Sequence, residues 1–124
     1  PELGVLQRSE KKHTEAIATF ERLESGYASS EAAVRAGYEK GLTYQAANQS
    51  GRAAEQYASV AARHKGKLYG DRSLIGLGQL RADEGAYDAA IAQFSDVAGR
   101  RTDDVGAEAH RVSATGSEAA TYCH

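Results

Sequence analysis

Apolar positions along this chain recur with the period of an α-helix. In each of the windows 13–25, 52–64 and 87–100, a small residue is followed four positions later by an aromatic residue, and three positions after that by an aliphatic one. Residues at this spacing lie on one face of a helix with 3.6 residues per turn. The windows 31–48 and 69–83 carry similar stripes. The pattern therefore predicts an all-α chain in which helices follow one another across short turns.

The stripe residues return at a constant interval of 37 positions. They are Ala16, Ala53 and Ala90, then Phe20, Tyr57 and Phe94, then Leu23, Val60 and Val97. A second register lies 12 positions upstream of the alanines, at Gly4, Gly41 and Gly78. Because several points keep one spacing three times, the chain is predicted to be a repeat protein. Its helix pairs would bury their apolar faces by stacking on their neighbours.

The third interval resembles the tetratricopeptide motif, which has a Leu-Gly pair in a first helix and Ala followed by an aromatic residue in a second. The matching residues are Leu77-Gly78, Gly85, Tyr87, Ala90 and Phe94. The resemblance implies an αα-hairpin solenoid with a right-handed superhelical twist, made of about three repeats of 37 residues and a partial fourth. The interval exceeds the roughly 34 residues usual in the family. Lys40 also stands where the family has Leu.

A single domain is predicted over residues 1–124, with units of roughly 1–28, 29–66 and 67–102, a partial unit 103–115 and a frayed tail 116–124. The chain lacks Met and opens inside the pattern of a first helix, so we expect a piece of a longer array. Ser30 and Asp71 are predicted to be helix N-caps. The Arg100-Arg101 pair is interpreted as the end of a helix, where cations complement the helix dipole.

In tetratricopeptide proteins, the first helices of successive units line a concave groove that holds a peptide or helix of a partner. Through the glycine register, the resemblance assigns seven residues to this groove: Arg8, Arg35, Tyr38, Gln45, Arg72, Gln79 and Asp83. Arg35 and Arg72 occupy the same place in consecutive repeats, so they would present two guanidinium groups to a carboxylate-bearing peptide. The alternative is that both arginines are solvated surface charges. For Tyr38, the alternative is that its ring packs in the core.

The other tyrosines are divided between core and turns. Tyr57 and Tyr44 are predicted to be core residues, whereas Tyr69 is assigned to a turn between units.

Composition and candidate chemistry add mainly exclusions. A formal net charge of −2 gives no basic field for nucleic acid, and no apolar run approaches the length of a membrane span. The four histidines lack ligand spacing, so no metal or cofactor is expected; a zinc site at His110, Cys123 and His124 is the weak alternative. No nucleophile and base are paired by the sequence, which argues against an enzyme.

The sequence therefore predicts a non-catalytic scaffold that binds a peptide or helical segment of another protein. The alternatives are a structural spacer or oligomerisation segment, and a regulatory appendage of an absent enzyme domain. The hairpins and the segment 103–109 are similar to repeats of bacterial envelope proteins, among them outer-membrane assembly lipoproteins and Tol–Pal-associated periplasmic coordinators. This similarity favours a periplasmic or envelope-associated location, with a cytoplasmic scaffold as the alternative. The oligomeric state is left open.

Overall fold

The computed structural model describes residues 2–9, 12–26 and 30–123, with the side chains of 7–9 and 119–123 outside that description. These residues form seven α-helices: α1 (Glu2–Ser9), α2 (His13–Gly26), α3 (Glu31–Ala46), α4 (Ser50–Arg63), α5 (Leu68–Asp83), α6 (Tyr87–Arg100) and α7 (Asp104–Cys123). The described ranges contain no strand. The all-α prediction is confirmed, and the helices agree closely with the windows read from the periodicity.

The helices pack in the order in which they occur in the chain. Each helix contacts the next one, and α1, α3, α5 and α7 also contact one another in succession. The odd-numbered helices therefore stand side by side, and each even-numbered helix lies between its two sequence neighbours. This arrangement gives the odd-numbered helices a shared surface.

A glycine of each odd-numbered helix from α1 to α5 faces an aromatic ring of the following helix. A side chain built at any of these glycines would place its Cβ under 3.0 Å from ring atoms; the pairs are Gly4 with Phe20, Gly41 with Tyr57 and Gly78 with Phe94. All three rings are buried, with at most 1% of their surface exposed. The glycine and aromatic registers of the sequence are thus two sides of one contact, made three times.

The turns inside the helix pairs also repeat. Asn48 follows α3 with a φ of 60°, and Gly85 follows α5 with a φ of 84°, so both are left-handed. Their amides donate to Gln45 and Ala82, respectively, three positions earlier. Asn and Gly are the residues that tolerate this conformation best. This explains why Asn48 and Gly85, which lie 37 residues apart, occupy the same position of the repeat.

Lys40, which departs from the family pattern, connects α3 to α2. Its Nζ lies 3.4 Å from carboxylate oxygens of both Glu21 and Glu24. Glu24 also accepts a hydrogen bond from Gln56 Nε2 of α4, which in turn donates to the carbonyl of Gly37. A polar cluster therefore joins α2, α3 and α4 at the position where an apolar contact was expected.

The two predicted N-caps behave differently. Ser30 is the N-cap of α3, and its Oγ accepts from the amide of Ala33 at 3.1 Å. The prediction for Asp71 is wrong, because α5 begins earlier, at Leu68. Asp71 instead lies in the first turn of α5 and is 1% exposed.

Asp71 is the centre of a buried ion network. Its carboxylate accepts from Arg100 Nη2 at 3.0 Å, from Arg101 Nη1 at 2.9 Å and from the amide of Gly66 at 3.2 Å. Arg101 also donates to the carbonyl of Gly66 and to Asp103. The two arginines, interpreted from sequence as helix-dipole partners, therefore tie the end of α6 to the turn before α5.

The network shifts the titration of its carboxylates. Burial by itself raises the pKa of Asp71, but hydrogen bonds from Arg100 and Arg101 outweigh it and hold the pKa below its ordinary 3.8. The hydrogen bond from Arg101 lowers the pKa of Asp103 to about 2. Both groups are therefore ionised in the folded chain at neutral pH.

The last helix is longer than predicted. We expected the fourth unit to end near residue 115 and residues 116–124 to be frayed, but α7 continues to Cys123. Gly116, the first residue of the expected frayed tail, is buried, and a Cβ there would lie 3.3 Å from Ile91 Cγ1 of α6. Its missing side chain therefore permits a close approach between helices. Residue 124 lies outside the described residues.

We predict that Gly41→Ala destabilises the chain. The added Cβ overlaps the ring of Tyr57, and such overpacking costs about 1–3 kcal/mol, more than the roughly 1 kcal/mol that Ala gains in helix propensity. Gly99→Ala in α6 is the matched control, because nothing lies within 4 Å of its added Cβ. Urea unfolding followed by circular dichroism measures both. Equal or greater stability of Gly41→Ala would contradict the close contact.

We predict that Asp71→Asn lowers the free energy of unfolding by about 1–3 kcal/mol, since two arginines lose a charged acceptor, although Arg100 keeps Asp96 and Arg101 keeps Asp103. The unfolded chain protonates this carboxyl near pH 3.8 and the folded chain only at lower pH. Falling pH therefore favours unfolding, and the stabilisation present at neutral pH is lost as the pH falls from about 5 through the lowered pKa of the folded state.

The pH dependence of the free energy of unfolding distinguishes the Asp71 network from other carboxylates. Wild type is expected to lose more stability over that range than Asp71→Asn. Asp83→Asn, which changes an exposed carboxylate at the end of α5, should leave the wild-type pH profile unchanged. Identical profiles for wild type and Asp71→Asn would show that Asp71 does not gain its ionised state from the arginines.

Candidate binding groove

A groove of about 430 Å³ lies between α3, α5 and α7, with the floor closed by a ring from α4. This volume falls within the range of ligand-binding clefts in proteins. The lining residues are Tyr38, Leu42, Gln45, Ala46, Tyr57, Arg72, Ile75, Gly76, Gln79, Asp104, Val105 and Glu108. We refer to this surface as the groove. It combines aromatic and aliphatic side chains with charged and amide groups.

Tyr57 forms the floor of the groove. Its ring lies against Gly41 on one helix and Gly76 on the next, where a Cβ would be 3.0 Å from the ring. Its hydroxyl donates to Gln45 Oε1 at 2.9 Å. One buried side chain of the core thus fixes the orientation of a groove amide, and Gly76 keeps the space above the ring open.

Tyr38 continues the aromatic surface towards the start of α5. Its ring centroid lies 6.1 Å from that of Tyr57 and 5.7 Å from that of Tyr69, with tilted planes in both pairs. Tilted rings at these separations attract one another. Tyr69 therefore belongs to α5 and to this aromatic row, which corrects its assignment to a turn.

The two predicted arginines converge on Tyr69. The guanidinium carbons of Arg35 and Arg72 each lie 5.8 Å from the centroid of that ring, so they are no further apart than twice this distance. Arg35 Nε is also 3.7 Å from Glu39 Oε1, on the next turn of α3. Arg72 is exposed, lines the groove and has no ion pair with another side chain in the described ranges. Arg72 is thus the more available cation.

The opposite side of the groove carries negative charge from α7. Asp104 is exposed in the first turn of that helix, and Glu108 lies one turn later. Glu108 accepts a hydrogen bond from Arg111 Nη2 at 3.0 Å. Asp104 has no ion pair or hydrogen bond from a side chain in the part of the chain described. The groove therefore has a positive edge on α5 and a negative edge on α7.

The structure brings together most, but not all, of the residues assigned to the groove by sequence. Tyr38, Gln45, Arg72 and Gln79 line it, and Arg35 lies beside it on Tyr69. Asp83 is exposed at the end of α5 and is not part of the lining, because the groove ends one turn earlier, at Gln79. The side chain of Arg8 lies outside the described residues.

Sequence reasoning missed the contribution of α7. The seven residues that the glycine register assigns to the groove lie in the first three units, and none lies in the partial fourth unit. Asp104, Val105 and Glu108 line the groove because α7 packs beside α5 as well as on α6. The face that α7 turns towards α5 depends on this packing, and the 37-residue interval alone does not indicate it.

The described part of the chain holds no group of three or more His, Cys, Asp or Glu side chains placed to bind a metal ion. None of its helices combines the length and apolar character needed to cross a membrane.

Comparison with models of known protein families, with curated proteins and with solved structures finds no match to this chain. Support for a function of the groove therefore comes from its own side chains.

Proposed function

We propose that this chain is part of a tetratricopeptide-type αα-hairpin solenoid and that the groove binds a segment of a partner protein. The solenoid is supported by the succession of contacts between odd-numbered helices and by the glycine–aromatic contact that recurs every 37 residues. In this arrangement, α3, α5 and α7 are the first helices of consecutive units and form the concave side.

The observation that carries the proposed function is the groove itself. It is preformed, because Tyr57 and Gly76 hold it open from within the core. Its centre presents aromatic and aliphatic surface, and its edges present amides and charges, which is the composition of surfaces that bind peptides. A preformed site spares the binder part of the ordering cost of association.

A binding role without catalysis is part of the proposal. The lining of the groove contains no His, Ser, Thr, Cys or Lys side chain, so the usual nucleophiles and the commonest general base are missing from it. Its polar groups are suited to orienting a bound segment. An envelope-associated location, suggested by the similarity to envelope repeats, remains an expectation, with a cytoplasmic scaffold as its alternative.

A second candidate function, association through α1, is favoured by two exposed leucines. Leu3 and Leu6 are 55% and 56% exposed, whereas Leu77 and Leu80, two intervals later, are buried against α4. The equivalent face of α5 is thus covered by a preceding helix. In the proposed array, a neighbouring unit or another copy of this chain would cover this face of α1, and coverage by another copy would give the spacer or oligomerisation role.

If the chain associates through α1, we predict that its molecular mass in solution rises with concentration. Light scattering should show association of wild type, and Leu3→Lys/Leu6→Thr should remain monomeric, because it carries the residues found one interval later, at Lys40 and Thr43. A wild type that stays monomeric at every concentration would rule out this role.

We predict that a bulky side chain at the edge of the groove weakens peptide binding. Peptides are first selected on the intact wild-type chain from a random linear library. Ala46→Trp places a large ring at the edge of the groove, and we expect it to weaken the selected peptides at least tenfold, as loss of a hot-spot contact does. Fluorescence anisotropy measures the affinities.

Ala58→Trp is the matched control for this experiment. Ala58 is an exposed residue of α4 outside the groove, so the same exchange should leave affinity within about twofold of wild type. Circular dichroism checks that both variants fold. Equal affinities of the two tryptophan variants, or a selection that yields no binder, would contradict the proposed function.

A further inference from the structure

The charges on the groove are arranged as two opposed edges. Arg72 lies in the second turn of α5, and Asp104 and Glu108 lie in the first two turns of α7. No ion pair joins Arg72 to either carboxylate in the described ranges, although all three side chains line one cavity. The charge of Arg72 is therefore not paired with the charge of Asp104 or Glu108, and it remains available to a bound molecule.

Arg72 is positioned to receive a carboxylate. Its guanidinium lies over the ring of Tyr69, which is itself packed against Tyr38. A cation–π contact restrains the guanidinium through the ring face and leaves its N–H groups able to donate. Paired N–H donors match the two oxygens of a carboxylate. Arg35, on the same ring, adds positive potential, although Glu39 offsets part of it.

The α7 edge has the opposite preference. Asp104 has no side-chain partner among the described residues, and Glu108 shares its charge with Arg111 alone. A cationic side chain placed here meets two carboxylates. An acidic side chain placed here meets like charges, which disfavour binding and so exclude the reversed orientation.

The space between the edges is apolar. Tyr38, Leu42, Ile75 and Val105 line it, above the ring of Tyr57. The amide of Gln45, held by the hydroxyl of Tyr57, and that of Gln79 flank this space and offer donors and acceptors to a peptide backbone. One apolar side chain between two charged ones therefore matches the groove.

We infer that the groove selects a linear protein segment in which an apolar residue lies between an acidic residue, bound by Arg72, and a basic residue, bound by Asp104 and Glu108. This inference rests on the proposed function and adds the chemistry of the partner. The segment is locally zwitterionic, so neither a purely acidic nor a purely basic peptide satisfies both edges. Affinity falls as salt screens the exposed charges.

The test compares random linear peptides selected on the intact wild-type chain with those selected on Arg72→Glu. Wild type should yield peptides with both charges flanking an apolar residue, and replacing the peptide's acid by its amide should weaken binding about tenfold. Arg72→Glu should instead recover peptides in which a basic residue takes the place of the acid. Arg52→Glu is the matched control, because Arg52 is an exposed arginine of α4 outside the groove, and it should recover the wild-type sequences.

Each outcome decides between the two levels of the proposal. The inference is overturned if the selected peptides lose affinity in Ala46→Trp but have no apolar residue between an acidic and a basic one. It is also overturned if wild type and Arg72→Glu select the same peptides. In either case the groove remains a binding site. A selection that gives no peptide sensitive to Ala46→Trp would overturn the proposed function, and the inference with it. If the selected charge reverses in Arg72→Glu but not in the control Arg52→Glu, the result supports both the proposed function and the inference.

Discussion

Three times along this chain, an aromatic ring occupies the space that a side chain would fill on the helix before it. The rings of Phe20, Tyr57 and Phe94 lie on glycines, and each buried ring contributes on the order of 2–3 kcal/mol. In a chain with two Phe and no Trp or Met, these contacts supply the largest fully buried side chains. The distance between each pair of helices follows from them, and so does the row of odd-numbered helices between which the groove opens.

Tyr57 gives the middle contact a second role that phenylalanine does not supply at the other two. Its ring belongs to the core, between Gly41 and Gly76, while its hydroxyl reaches Gln45 at the edge of the groove. The floor of the proposed site is therefore as rigid as the core beneath it. The site is held by helices rather than by loops, which favours a fixed arrangement of its charged edges.

The helices and their contacts could be predicted from sequence because both depend on local spacing: the 3.6-residue period, and a glycine and a ring that recur together. The same register assigned Tyr38, Gln45, Arg72 and Gln79 to one surface, and all four line the cavity between α3, α5 and α7. The Asp71 network was not predictable, because its arginines lie 29 and 30 positions away and each resembles an ordinary residue of a helix end. The expected N-cap at Asp71 and the expected end of the fourth unit near residue 115 differ from the structure because Gly70 and Gly116 lie inside helices, at sites of close approach, although glycine is also common in turns.

The polar clusters around Lys40 and Asp71 differ in the burial of their carboxylates, and this difference bears on the order in which the helices unfold. Lys40 pairs with Glu21 and Glu24 near the surface, whereas Asp71 is buried beneath Arg100 and Arg101. In the proposed solenoid, stability is a sum over neighbouring interfaces, so unravelling starts where the interfaces are weakest. Amide protons of α1, in which Leu3 and Leu6 are more than half exposed, should therefore exchange with solvent before those of α5 and α6. A partner in the groove would then be held by helices other than α1, the helix that opens first.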